Sequence, residues 1–193
     1  MVSVEQDLLR LVAAVGARGQ TGMREALAEI LGALAPFDSA EIAFLREGEV
    51  VRWGLGPTTA PVTGNDLVHH IASHPVSLRI DHLLEAEPFP ATRERLEASG
   101  LRSLLALPMT PTAGCEGAVV VARDYGWAFA GASLRRLEPI AAMVGLLIDV
   151  ALKVKNGKPR KRAISNKQSA ISDQQPEHKE SGITQMTKSS LDS

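Results

Sequence analysis

"ASGLRSLLALPMTPTAGCEGAVVVARD", residues 98–124, holds two apolar runs separated by a turn-rich segment that contains the chain's only cysteine. In Leu101–Pro108, Leu104 and Ala106 alternate with Leu105 and Leu107. In Gly117–Arg123, Val119 and Val121 alternate with Val120 and Ala122. Neither run has a polar side. A strand that is apolar on both sides is covered on both sides, so these read as two central strands with a layer on each face.

Outward from this pair, "SAEIAFLREGEVVRWG", residues 39–54, has the period of a hairpin. Ala40, Ile42 and Phe44 alternate with Glu41, Ala43 and Leu45, Gly48 supplies a turn, and Val50–Trp53 returns. Val76, Leu78 and Ile80 share one face of a further strand. The remaining apolar residues step at helical intervals. Val4, Leu8, Leu11 and Val15 predict a helix over 4–16, closed by Gly16 and Gly19. Thr21 caps a second, with Met23, Leu27, Ile30, Leu31 and Leu34 inward, until Pro36 stops it. A short helix runs from Asn65 or Asp66 to Ser73, and another over 91–99 ends at Gly100. Between hairpin and third helix, "GLGPTTAPVTG", residues 54–64, is a loop.

The last helix starts near Ser133 and carries two stripes. One is Leu134, Leu137, Ala141, Val144, Ile148 and Ala151; the other is Ile140, Met143, Leu147, Val150 and Val154. At ~100° per residue the stripes are adjacent and cover more than half the cylinder. One packs on the sheet, and the other needs a second helix or another protomer. Pro139 removes one helical hydrogen bond, which predicts a bend in the first turns.

The totals bound the function. Residues 1–155 hold 14 basic and 18 acidic side chains, net −4, and residues 156–193 hold 7 and 4, net +3. A mildly acidic body has no broad footprint for nucleic acid. One cysteine forms neither an internal disulfide nor a multi-cysteine zinc site. No basic n-region precedes the first helix, and Asp149 interrupts the longest apolar segment near the C-terminus, so neither a signal peptide nor a membrane span is expected. The expected location is cytoplasmic. Residues 1–155 read as one domain. Residues 156–193, polar and without an aromatic residue, read as a disordered tail.

The ordered set of elements resembles the GAF sensory domains over about residues 4–155. "GLRSLLALPM" is similar to that family's fourth strand, "GCEGAVVVARD" to its fifth with Gly117 as the usual glycine, and "AFAGASLRRLEPIAAMVGLLIDVAL" to its closing helix. The resemblance implies an α+β, profilin-like fold. A central antiparallel sheet carries the terminal helices on one face, and short helices and loops surround a small-molecule pocket on the other. It implies a non-enzymatic sensory or regulatory module in signal transduction. Such a module dimerises through its terminal helices, expected here at Ile140, Met143, Leu147, Val150 and Val154, and signals to a downstream protein. Pocket liners would come from Trp53, His70, Ile80, Phe89, Arg93 and Ser103. A ligandless dimerisation or interaction scaffold is the first alternative.

Four of the five histidines fall within residues 69–82. His70 and His74, four apart on a helix, are weak metal candidates and the basis of a second alternative, a haem or redox sensor. Cys115 has no adjacent base to activate it and is followed by Glu116, which argues against a nucleophile. The bilin-attachment and cyclic-nucleotide signatures of the resembled family are absent. "KPRKR", residues 158–162, reads as a solvated start of the tail. The sequence names no cofactor and no ligand.

Overall fold

The two runs of residues 98–124 form β4 (Ser103–Pro108) and β5 (Glu116–Arg123) at the interior of a five-stranded antiparallel sheet. The structure is a computed structural model and describes residues 3–56, 61–109, 116–132 and 134–156. β1 (Ser39–Arg46) pairs with both β5 and β2 (Glu49–Leu55), and β3 (Leu78–Ile80) borders β4, giving the order β2-β1-β5-β4-β3. The hairpin turn is a two-residue loop, Glu47–Gly48, with φ of 54° and 83°. Two consecutive positive φ values match the twist of the flanking strands and set their register.

Register sorts the side chains. Ile42 lies opposite Trp53 and Val119, and Leu105 lies opposite Val121. These residues, with Phe44 and Leu107, face α1 (Val4–Leu34) and α4 (Leu134–Asn156) in one apolar cluster. Leu104, Ala106, Ala118, Val120 and Ala122 face the other way. There they meet α2 (Asn65–Ser73), a 3-10 turn at Leu83–Ala86 and α3 (Pro90–Ala98) in a second cluster.

The two predicted N-terminal helices are the two arms of α1, folded back on each other at Gly19 (φ 56°, ψ −135°). A non-glycine residue is strained there. In a straight helix Arg10 and Glu29 would stand ~28 Å apart, yet they form an ion pair, as do Arg18 and Glu25. Ser3 and Gln6 close the first arm with a capping box.

The fold-back accounts for the two stripes of α4. Leu137, Ala141, Val144 and Ile148 share a cluster with Ile140 and Leu147 and with Leu11, Val15 and Leu27 of α1. Apart from Leu134 and Val150, which are exposed, the described side chains of both stripes are buried or half-buried within the protomer. Of the residues expected at a dimer surface, Ile140 and Leu147 are buried in the protomer core, Met143 is half-buried and Val150 is exposed. The side chain of Val154 lies outside the described residues, as do Cys115 and residues 157–193. Pro139 is accommodated inside α4. Among the described residues no helix is long and apolar enough to cross a membrane.

Candidate functional site

The face under α2 and α3 carries Glu41 and Arg52, two charged residues of the sheet. Glu41 shares the parity of Ala43, opposite to Ile42 and Phe44, so its carboxylate points away from α1 and α4. It is buried, and its Oε1 accepts from the backbone N–H of Thr63 at 2.8 Å and from the Thr63 hydroxyl at 2.5 Å. These bonds tether the incoming end of α2 to the sheet and satisfy a charge taken out of water.

Beside it on β2, Arg52 donates through Nη2 to Oδ1 of Asn65, the first residue of α2, at 2.7 Å. Burial holds the Arg52 guanidinium below its usual pKa, the attraction of Glu41 opposes this, and the charge of Arg95 on α3 adds to it.

Asp66 joins the two helices. Sequence reading gave Asn65 or Asp66 as the cap of α2; the N-cap is Gly64, without a side-chain cap, and Asp66 serves α3. Its Oδ2 accepts from the backbone N–H groups of Ala91 and Thr92, at 2.8 and 3.4 Å, and its Oδ1 from the Thr92 hydroxyl at 2.7 Å and from Leu67 N–H at 2.8 Å. The first-turn donors of α3 are thus satisfied by a carboxylate from a neighbouring element. Thr92 in turn accepts from Gly64 N–H at 2.9 Å. A Cβ on Gly64 would lie 2.6 Å from the backbone of Ala91 and Thr92, so this close approach requires glycine.

The expected pocket residues divide. Ile80 and Phe89 lie in the cluster beneath α2 and α3. His70 meets the edge of Phe89 at 5.1 Å and stacks on His74 at 5.0 Å, on the exposed side of α2. Among the described residues no group of three or more His, Cys, Asp or Glu side chains is placed to hold a metal. Arg93 pairs along its own helix with Glu97 at 2.8 Å, which raises its pKa. Trp53 is on the opposite face, edge-on to Phe44 at 5.0 Å, because it pairs with Ile42. Ser103 shares the parity of Leu105 and spends its hydroxyl on the carbonyl of Tyr125 at 2.7 Å.

The space beneath residues 69–93 is filled by Leu67, Ile71, Ile80, Leu96, Leu104 and Val120, all fully buried. Open clefts lie elsewhere. One of about 420 Å³ is lined by Thr21, Arg24, Ala28, Gly54 and Gly56, where Arg24 donates to the Gly54 carbonyl. Another of about 440 Å³ is lined by Pro75, Val76, Pro108, Met109 and Ala142.

Sequence reading missed the polar group of Glu41, Arg52, Thr63, Asn65, Asp66, Thr92 and Arg95. A usable signal was present: Glu41 and Arg52 are charges at interior parities of two strands.

No family model matches the chain, and a search of curated proteins finds no match. Solved structures match the fold. The GAF domain of an Acinetobacter phosphoenolpyruvate-protein phosphotransferase superposes with a TM-score of 0.59 at 16% identity, over 81% of this chain and 99% of that one. An N-acylhomoserine lactone-dependent LuxR-family transcription factor of Burkholderia cenocepacia gives 0.59 at 14% identity, over 77% and 96%. The phycocyanobilin-bound GAF domain of a cyanobacterial phytochrome gives 0.51 at 16% identity, over 81% and 96%. Residues of this chain therefore build a GAF-like α+β fold.

Proposed function

We propose that the chain is a cytoplasmic, non-enzymatic regulatory module of a signalling system. It binds a small ligand at the rim of the α2/α3 face and passes the signal on through the exposed surfaces of α1 and α4. The observation that carries this reading is the polar seam of Glu41, Arg52 and Asn65. It sits between β1, β2 and the start of α2, where a ligand would touch both the sheet and a helix. Fold neighbours described as N-acylhomoserine lactone-dependent and as phycocyanobilin-bound support the idea that this architecture hosts unrelated small molecules.

The output surface is re-drawn from the expected one. Leu9 (69% exposed) and Val12 stand three apart on the first arm of α1, and Leu146 and Val150 stand four apart on α4, all exposed. These residues are the surface offered to a second protomer or a downstream protein.

The alternative is a ligandless dimer scaffold, favoured by the fully buried cluster beneath residues 69–93. Native mass spectrometry of the full chain purified from its own cells separates the two. Retained small-molecule mass on a dimer supports sensing, and a dimer without it supports the scaffold. A bare monomer opposes both.

A further inference from the structure

We propose that the outer edge of β2 pairs, antiparallel, with the same edge of a second copy of this chain, joining two five-stranded sheets into one. This contact is separate from the ligand seam and does not depend on it.

The two borders of the sheet differ. β3 is three residues long and carries the exposed Arg79 at its centre. A short strand with a charge is a blunted edge. β2 is seven residues long, Glu49–Leu55, and its Val50, Val51 and Trp53 are partly exposed. It contains neither proline nor lysine. An edge strand of that length and composition is a template for pairing with another strand.

Register fixes what the edge offers. The two-residue turn makes Arg46 and Glu49 a hydrogen-bonded pair, and such pairs recur at every second residue of the hairpin. Glu49, Val51, Trp53 and Leu55 therefore turn their N–H and C=O groups toward β1, and Val50, Arg52 and Gly54 turn theirs outward. Arg24 marks the outward direction, because its Nε and Nη2 donate to the Gly54 carbonyl at 2.9 and 2.5 Å. The guanidinium occupies the edge at Gly54 and stops pairing there, which leaves residues 49–53 as the open stretch.

That stretch is complementary to itself. Two copies related by a two-fold axis perpendicular to the sheet keep each face continuous only when paired residues share a parity. With Val51 opposite Val51 of the second copy, Val50 pairs with Arg52 on either side of the axis, each pair exchanging both main-chain bonds. Centring the axis on Arg52 instead sets two like charges directly opposite and is disfavoured. In the Val51 register Glu49 falls opposite Trp53 of the second copy, beside the Arg24 guanidinium that follows at Gly54. Glu49 is exposed and shares the parity of Val51 and Trp53, so it lies on the α1 side, from which Arg24 reaches the edge. Arg24 is held by a neutral carbonyl, and its neighbours Glu25 and Glu29 are paired with Arg18 and Arg10. The open cleft of about 420 Å³ beside Arg24, Gly54 and Gly56 gives the incoming carboxylate room. Symmetry makes the Glu49–Arg24 contact twice. An unrelated extended peptide would meet the same main-chain groups without these reciprocal contacts, which is why the fit is to a second copy.

The test is sedimentation equilibrium of the full chain and its variants, with amide hydrogen exchange at low and high protein concentration. A dimer is expected, in which the outward amides of Val50 and Arg52 gain protection as concentration rises. Val50→Pro deletes an outward N–H and leaves the bonds to β1 in place, so it should give a folded monomer. Glu49→Arg sets like charges at both symmetric contacts and should raise the dimer dissociation constant about tenfold. Adding Arg24→Glu to it should recover part of that loss. Leu146→Glu, on the exposed side of α4, should leave the dimer intact. Circular dichroism checks each variant, and if Val50→Pro does not fold, the charge pair and the amide protection carry the test. A monomeric chain overturns the inference. So does a dimer whose Val50 and Arg52 amides gain no protection, or one that survives Val50→Pro and is lost in Leu146→Glu. A monomer that copurifies with an extended peptide protecting those amides puts a different occupant on the edge and overturns it as well.

Discussion

The two faces of the sheet are built from different materials. Toward α1 and α4 the strands present Ile42, Phe44, Leu105, Leu107, Val119 and Val121, large side chains that interdigitate with two long elements. Toward α2 and α3 they present Ala43, Ala106, Ala118 and Ala122 beside Leu104 and Val120, with Glu41 and Arg52 among them. Small side chains bury less apolar surface per residue, and the polar ones need specific partners to be tolerated. The first face holds the fold together. The second joins a smaller buried cluster to two nine-residue helices and a handful of directed bonds, which is where the proposed ligand would exchange stability for a signal.

Substitutions can break this contrast, and the largest effect is expected on the α1/α4 face. Phe44→Ala removes a fully buried ring from the helix-side cluster and should lower stability by about 3–5 kcal/mol in urea denaturation. A loss below about 1 kcal/mol would mean that this face is not the main core. On the other face, Glu41→Ala leaves the buried Thr63 N–H and hydroxyl without their acceptor and should cost about 1–3 kcal/mol. Asp66→Ala uncaps α3, with an expected loss of about 1–2 kcal/mol. Hydrogen exchange would show that loss concentrated in α3. The smallest stability effect belongs to the outer surface. Leu146→Glu sits at an exposed position and should shift stability by no more than about 0.5 kcal/mol. In sedimentation it should convert a dimer to folded monomer if α4 carries the contact. A variant that stays dimeric would move the contact off this surface.

Much of the contrast is legible in residue order. Alternation in residues 39–54 and 101–123 separates the two faces, and the face of Trp53 was readable too. A two-residue loop pairs Arg46 with Glu49 and therefore Ile42 with Trp53. Assigning Trp53 to the pocket overlooked that register. Other features depend on contacts distant in sequence. The stripes of α4 state how much of its cylinder is covered, but not that the covering helix is the chain's own α1, folded at Gly19. Asp66 has the sequence signature of a helix cap without showing that it caps a helix 25 residues on.

The central claim is that one sheet face carries the stability and the other is free to respond. Native-state hydrogen exchange tests it residue by residue. The account predicts that amides of Ile140–Ile148 and of β5 exchange only through global unfolding. Those of α2 and α3 should exchange through local opening at a free energy at least about 1–2 kcal/mol lower, within the range of sub-global openings. Equal protection on both faces would contradict it, because α2 and α3 would then open only when the whole domain unfolds.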